Sequence, residues 1–321
     1  MGNNGPEAGE ESVAKGGEGR RPLILEVKGN SLDDGPGIRT VVFFKGCPLS
    51  CVWCHNPESK RVGQEISFDP RECVGCDACL DICEEGALDR NNTLLVDRGK
   101  CTLCFRCADD CPSGALARVG MYREIEEVAS LVEKDLPFFH TSGGGVTLSG
   151  GEPTLFMDYA SELLRRLREM GVHTIVETCG HFDLGEFEVK VFPYTDTIYF
   201  DLKLHDSGAH KKYCGIPNAT ILDNFARLHL SYLEGGASLF PRVPLIPGIT
   251  DTGENLTALA AFLRENGAEE VALLQYNPLW FEKSRKIGRE NPLEGCEATA
   301  TWMKPSEVER CRSFFADLRV C

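Results

Sequence analysis

Basic residues are scarce in this chain. Its 321 residues hold 34 Lys and Arg against 49 Asp and Glu, a net charge of −15. A nucleic-acid binder concentrates positive charge, so this balance argues against a nucleic-acid partner and for solubility. Long apolar runs are also missing, so no membrane partner is expected. The sequence opens on no secretory leader. Structural disulfides are therefore poor candidates, and reduced thiols in the cytoplasm are expected. Hydrophobic residues make up 42% of the chain, which is ordinary for a globular protein. The length suits one large domain and a small one.

What the chain does have is cysteine, 16 in all. Cys47, Cys51 and Cys54 stand in the run GCPLSCVWCHNPES, with the spacing C-x3-C-x2-C. Three thiolates can hold three irons of a [4Fe-4S] cluster and leave the fourth open to a substrate or cofactor. An electron-carrying cluster normally takes four cysteines, so three suggest chemistry at the open iron. The competing reading is a zinc site.

Eight further cysteines follow. Cys73, Cys76, Cys79 and Cys83 have the spacing C-x2-C-x2-C-x3-C, and Cys101, Cys104, Cys107 and Cys111 repeat it before Pro112. This is the run of two-cluster bacterial ferredoxins, in which the fourth cysteine crosses to the other cluster. Cys73, Cys76, Cys79 and Cys111 are assigned to one cluster. Cys101, Cys104, Cys107 and Cys83 are assigned to the other. The alternative is a pair of zinc ribbons, but such compact spacing suits a cube better than a tetrahedron. Two clusters so close in sequence suggest an electron relay.

Residues 1–21 hold six Gly and four Glu without periodicity and are expected to be disordered. Beyond them, strand-like and helix-like segments alternate. Strands are expected at Thr40–Gly46, Val146–Gly151, His173–Gly180, Thr197–Lys203, Ser238–Gly248 and Glu270–Pro278. Helices are expected at Tyr159–Gly171, Ile221–Gly236, Gly253–Gly267 and Lys304–Arg319. Six such units give a parallel α/β arrangement, and six cannot easily close an eight-unit barrel. The expected architecture is a partial (β/α)6 barrel over 22–64 and 120–321, with a ferredoxin-like insert over 65–119. Cys47, Gly150, Thr178, Lys203, Pro247 and Asn277 all fall at or just past strand ends, where such folds keep their reactive groups.

The cysteine triplet, SGGEP at Ser149–Pro153 and the six units together resemble the radical S-adenosylmethionine (SAM) superfamily. More narrowly, DGPGIRT (Asp34–Thr40), GCPLSCVWCHNPES and DLKLHDSGAH (Asp201–His210) are similar to the glycyl-radical-enzyme activating enzymes. The resemblance runs from about residue 23 to 320 and points to the group that carries an eight-cysteine insert. It implies an enzyme that reductively cleaves SAM to methionine and a 5′-deoxyadenosyl radical. That radical takes an α-hydrogen from a glycine of a partner glycyl radical enzyme. Three [4Fe-4S] clusters are implied, with flavodoxin or a ferredoxin as electron donor. A monomer is expected, meeting its partner transiently.

The resemblance also implies roles for particular residues. Gly150, Gly151 and Glu152 would meet the SAM amino group. Lys203 would pair with the SAM carboxylate. Glu177, Thr178 and Asp201 would help to hold a monovalent cation beside that carboxylate, although relatives often have Asp at the Glu177 position. Asn56 would contact SAM, and Trp53 would line the adenine pocket or pack in the core. His210 would help to organise the SAM or peptide site. Asp34 would hold the backbone of the target glycine, and it also suits a turn. Relatives commonly place a His on the last strand. Here Asn277, in LLQYNP, stands there as a SAM contact without charge.

Two other readings differ in class. A radical SAM enzyme acting on a small molecule would share the triplet and SGGEP but not DGPGIRT or DLK-x6-H. A multi-cluster electron carrier would need no open iron and no large α/β scaffold. The remaining cysteines are Cys179, Cys214, Cys296, Cys311 and Cys321, and no disulfide is expected among them. Cys179 follows a strand end and is expected near the SAM pocket.

Overall fold

The computed structural model describes residues 21–233 and 237–321. The expected disordered tail, up to residue 20, lies outside the described residues, as do residues 234–236 at the end of the helix expected over 221–236.

The protein is an α/β fold on a mostly parallel sheet. Its strands are β1 (Leu23–Ser31), β2 (Arg39–Lys45), β3 (Glu65–Phe68), β4 (Leu116–Val119), β5 (Met121–Tyr122), β6 (Gly145–Gly150), β7 (His173–Thr178), β8 (Thr197–Asp201), β9 (Ser238–Leu245), β10 (Glu270–Gln275) and β11 (Arg319–Val320). The main sheet has the order β11-β10-β9-β8-β7-β6-β2-β1-β5. From β2 through β6, β7, β8, β9 and β10, each neighbour pairs in parallel. These are the six strands the sequence predicts. β2, β6 and β7 are nearly continuous in burial, as parallel strands covered on both faces are, whereas β8, β9 and β10 alternate.

Two additions come from the sheet edges. β1 runs antiparallel on β2 and β5 antiparallel on β1, and both lie outside the predicted set. β1 alternates buried and exposed residues, the pattern of a strand with one wet face. At the far edge β11 adds two residues in parallel to β10. The helix expected over Lys304–Arg319 is therefore shorter than its pattern. It spans Pro305–Arg312, passes into a 3-10 turn at Ser313–Phe315, and leaves the chain free to pair.

Helices cover the sheet by amphipathic burial. Met157, Ala160, Leu163, Leu164 and Leu167 are the buried residues of helix Met157–Glu169, an i, i+3, i+4, i+7 stripe. Leu256, Leu259, Ala260 and Leu263 form the same stripe on Gly253–Glu265. The C-terminal ends of six parallel strands all point one way, so the loops that follow them gather at one end of the sheet.

At Glu65 the chain leaves this sheet. β3 and β4 pair antiparallel in a sheet of their own, with Glu65 opposite Val119. Between them lies a separate small core of Ile66, Phe68, Leu95, Val96, Phe105 and Leu116, packed against Cys73, Cys79, Cys101, Cys107 and Cys111. Ion pairs tie this unit to the segment near residue 285. Asp69 meets Lys286 at 2.6 Å, Glu65 meets Arg289 at 2.7 Å and Arg71 meets Glu282 at 2.9 Å.

Candidate active site

The loop after β2 is held largely by backbone hydrogen bonds. Gly46 donates to Ser59 at 2.7 Å, and Cys47 to Lys60 at 3.2 Å. From the other side, Ser50 donates to the Cys214 carbonyl at 2.9 Å and Val52 to that of Tyr213 at 3.0 Å. The triplet is thus clamped between its own return loop and the end of helix Ser207–Cys214.

That helix explains the DLK-x6-H pattern in physical terms. Asp206 caps it by accepting from Ala209 at 2.7 Å. Gly215 follows at φ 91, where an added Cβ would lie 2.2 Å from Ser50 Oγ. His210 is buried, and its Nδ1 lies 2.6 Å from the Ile216 carbonyl, closing the turn. Burial lowers its pKa against that hydrogen bond, so the ring is neutral. His210 does not line the site cavity. It is a staple for the helix end that holds the cluster loop.

Cys47, Cys51 and Cys54 open into one cavity of about 260 Å³. The cavity also takes Trp53, His55 and Asn56 from the same loop, Ser149, Gly150 and Gly151 from β6, and Glu177 and Thr178 from β7. Asp201 and Lys203 come from the end of β8, Arg242 from β9 and Gln275 from β10. β6, β7, β8, β9 and β10 contribute to one wall with the loop that follows β2. Burial pushes the Cys54 thiol up to about 12, which neighbouring Lys60 only partly offsets. Cys51 is held below the usual thiol range by a hydrogen bond with Cys214, which is itself raised. A hydrogen bond with Cys47, and then burial, push the Cys179 thiol well up.

The glycines of SGGEP are required by close packing of backbone. Gly150 sits at φ 104, and a Cβ there would be 2.5 Å from the Phe44 nitrogen; at Gly151 it would be 2.1 Å from the Gly46 carbonyl. Gly151 N donates to Phe44 at 2.8 Å and Glu152 N to Gly46 at 2.8 Å, so the turn lies flat on the start of the cluster loop.

Glu152 departs from its expected place. It is fully buried and off the cavity wall. Its carboxylate accepts from Thr154 Oγ1 at 2.7 Å, Thr178 Oγ1 at 2.9 Å and Cys179 N at 2.7 Å. It clasps the ends of β6 and β7 together, and its oxygens are taken. Asn277 also misses the cavity, because its Oδ1 caps the next turn by accepting from Leu279 N at 2.9 Å. Gln275, two residues earlier, lines the wall instead. Asn56 does line it, with Oδ1 accepting from Lys283 at 2.9 Å.

Asp34 lies elsewhere. It precedes β2, at the opposite end from the triplet, and its side chain pairs with the Ser31 hydroxyl. The Asp34 carbonyl accepts from Thr147 Oγ1 at 2.8 Å. Buried Arg39 pins the same loop, donating to Thr147 Oγ1 at 2.7 Å and to the Val146 carbonyl at 2.6 Å. DGPGIR therefore plugs the N-terminal end of β2, β6 and β7.

Charge in the cavity is balanced. Arg242 donates Nη1 to Glu177 Oε1 at 2.6 Å and Nε to Asp201 Oδ1 at 2.9 Å. Lys203 meets Asp201 Oδ2 at 3.0 Å. Burial opposes the ionised form of Asp201, yet Arg242 and Lys203 outweigh it and lower its pKa. Sequence reasoning missed Arg242, Ser149 and Gln275. The signal for Arg242 was present: FPRVP keeps the strand alternation, and an arginine on the inward face of a strand needs a buried partner.

Among the insert cysteines, Cys73, Cys76, Cys79 and Cys111 line one small cavity. Cys107 is pushed up to about 11, first by burial and then by Cys101, Cys83 and Cys104 beside it. Among the described residues, no three His, Cys, Asp or Glu converge closely enough to hold a single metal ion.

An α/β scaffold with three thiols on one cavity, and with acids, a lysine and an arginine from successive strand ends, defines an enzyme site built to hold a charged organic cofactor beside a metal cluster. A 4Fe-4S single cluster domain matches residues 33–81. The isethionate sulfite-lyase activating enzyme of Nitratidesulfovibrio vulgaris is 37% identical over 89% of this chain and 94% of its own. The choline trimethylamine-lyase activating enzyme of Oleidesulfovibrio alaskensis is 37% identical over 91% of this chain and 94% of its own. The trans-4-hydroxy-L-proline dehydratase activating enzyme of Clostridioides difficile is 39% identical over 83% and 88%. The chain belongs to the glycyl-radical-enzyme activating enzymes, a family of radical SAM oxidoreductases. It uses SAM and an iron–sulfur cluster to remove an α-hydrogen from a glycine of a partner enzyme. No helix among the described residues is long and apolar enough to cross a membrane.

Proposed function

We propose that Cys47, Cys51 and Cys54 hold a [4Fe-4S] cluster with one open iron, and that SAM binds there within the cavity. Their common opening onto one cavity carries this reading. When bound, cluster and SAM together supply a 5′-deoxyadenosyl radical, with methionine as the other product. The residues of the chain position and shield. Lys203, on the cavity wall, carries the positive charge that the SAM carboxylate needs. Ser149, Gly150, Gly151, Asn56 and Gln275 offer polar atoms along the wall, and Trp53 closes it with apolar surface. Glu152 fixes the wall from behind. Exclusion of bulk water protects a reactive intermediate from side reactions.

The finer architecture follows the same reading. A partial (β/α)6 barrel is supported by residues of β6 through β10 meeting the loop after β2 around one cavity, which a flat sheet would keep apart. The scaffold is assigned to 22–64 and 120–321. An insert over 65–119 is supported by its own two strands and core. Two auxiliary clusters in it, held by Cys73, Cys76, Cys79, Cys111 and by Cys101, Cys104, Cys107, Cys83, are supported by the grouping of those thiols. They would pass electrons from a flavodoxin or ferredoxin to the third. The partner is a glycyl radical enzyme, as the names of the relatives indicate, and a cytoplasmic setting suits exposed thiols.

The test is anaerobic. The reconstituted, reduced protein is given SAM, and 5′-deoxyadenosine is assayed beside a Cys54→Ala variant. Product from the wild type and none from the variant is expected. Equal product from both would remove Cys54 from the site.

A further inference from the structure

Each side-chain oxygen expected to hold a cation beside the SAM carboxylate is already hydrogen-bonded. Glu177 Oε1 accepts from Arg242 Nη1 at 2.6 Å, and Glu177 Oε2 accepts from the Ser149 hydroxyl. Asp201 Oδ1 accepts from Arg242 Nε at 2.9 Å, and Asp201 Oδ2 from Lys203 at 3.0 Å. The third expected ligand is also engaged, since Thr178 Oγ1 donates to Glu152 at 2.9 Å and accepts from Gly180 N at 3.0 Å. Two carboxylates face two fixed cations, so the cluster is neutral without an added ion. A monovalent cation there would compete with Arg242 and Lys203 for these oxygens and would be repelled by both charges.

The guanidinium is built in rather than incidental. In the parallel register of β8 and β9, Arg242 lies directly opposite Asp201. Its side chain is 11% exposed and lies over the Tyr199 ring at 5.0 Å. A planar fork that is charged at all working pH values presents donors in fixed directions and can serve two carboxylates at once. Glutamate at 177 supplies the reach from β7 across β8 to the β9 side chain.

We propose that Arg242 replaces the monovalent cation: its guanidinium is the tethered counter-ion that neutralises Glu177 and Asp201 beside the SAM carboxylate, so this enzyme binds SAM without sodium or potassium. This makes Arg242 a positioning residue, and it rests on the SAM-binding reading of the cavity.

The experiment uses the reconstituted holoenzyme. Its dissociation constant for SAM is measured by anaerobic equilibrium dialysis in potassium, sodium and tetramethylammonium chloride at equal ionic strength. The wild type is expected to bind SAM equally, within about twofold, in all three. Arg242→Gln is expected to bind about tenfold more weakly in tetramethylammonium, the loss of one charge-assisted hydrogen bond. Potassium should then restore part of its affinity, because a vacated pair of carboxylates can take an ion; a purely structural role would give no rescue. Wild-type affinity that falls about tenfold when potassium is removed would overturn the proposal alone. No SAM binding in any salt would overturn both the proposal and the reading beneath it. The wild-type salt series decides the matter even if the variant does not fold.

Discussion

The two cysteine-rich regions of this molecule are built on opposite plans. The triplet is sunk in the strand ends: Cys51 is 7% exposed, and burial pushes Cys54 up to about 12. The insert keeps its thiols near the surface, with Cys76 and Cys104 exposed. Arginines attend it, as where Arg90 reaches Cys73 at 3.4 Å. The difference teaches that one cysteine chemistry can serve two ends. A radical must be made away from water, whereas an electron must be accepted from another protein at a surface.

The sharpest way to break this comparison is to remove one thiol from each region. Cys51→Ala is expected to abolish SAM cleavage and to remove about four of about twelve irons. Cys76→Ala should lose a similar share of iron while SAM still binds, with slower reduction of the remaining site. An unchanged reduction rate in Cys76→Ala would remove the relay role from the insert.

Backbone packing comes next. Gly150→Ala places a Cβ 2.5 Å from the Phe44 nitrogen at φ 104, so it is expected to destabilise the fold by about 2–3 kcal/mol in chemical unfolding. The matching change in the insert, Gly114→Ala, meets nothing within 4 Å and should cost only the strain of its φ of 71, about 1 kcal/mol.

A pH effect follows from His210. Its pKa is lowered by burial, so the unfolded state binds more protons between the two values. Stability from the neutral ring is full above the unfolded pKa, about 6.5, and declines as pH falls through it. Unfolding midpoints measured from pH 7.5 down to 5 should fall for the wild type and fall less steeply for His210→Asn.

The smallest effect belongs to the seam between the regions. Asp69→Asn breaks the 2.6 Å pair with Lys286. Both groups border solvent, so the expected loss is about 0.5–1 kcal/mol, shrinking as salt is raised. An unchanged value at low salt would show that this pair does not help to seat the insert.

Much of this was legible in the sequence, and for a local reason. β2, β6 and β7 are nearly continuous in burial and β8 to β10 alternate, and both patterns stand out against the loops around them. β1 alternates, as LILEVKGNS, but lies between a glycine-rich tail and a turn-rich loop, and its partner is settled only by the sheet. The cysteine spacings point to cluster chemistry because three of the ligands expected of each cluster lie close in sequence. Glu152 and Asn277 sit within the expected motifs, yet their side chains turn away from the cavity because backbone donors from β7 and from the next turn claim them. The inward face of Arg242 could be read from the alternation of its strand, but its partners, Glu177 and Asp201, lie 65 and 41 residues away, a distance over which no pattern links them.

The central claim is that one site, on the Cys47–Cys51–Cys54 loop, binds SAM through an iron that the insert's clusters do not offer. Electron paramagnetic resonance of the reduced, reconstituted protein tests it most directly, recorded with and without SAM for the wild type, Cys54→Ala and Cys76→Ala. The account predicts that SAM changes one cluster signal in the wild type and in Cys76→Ala, and that this signal is missing from Cys54→Ala. A SAM-dependent change that survives in Cys54→Ala would contradict it.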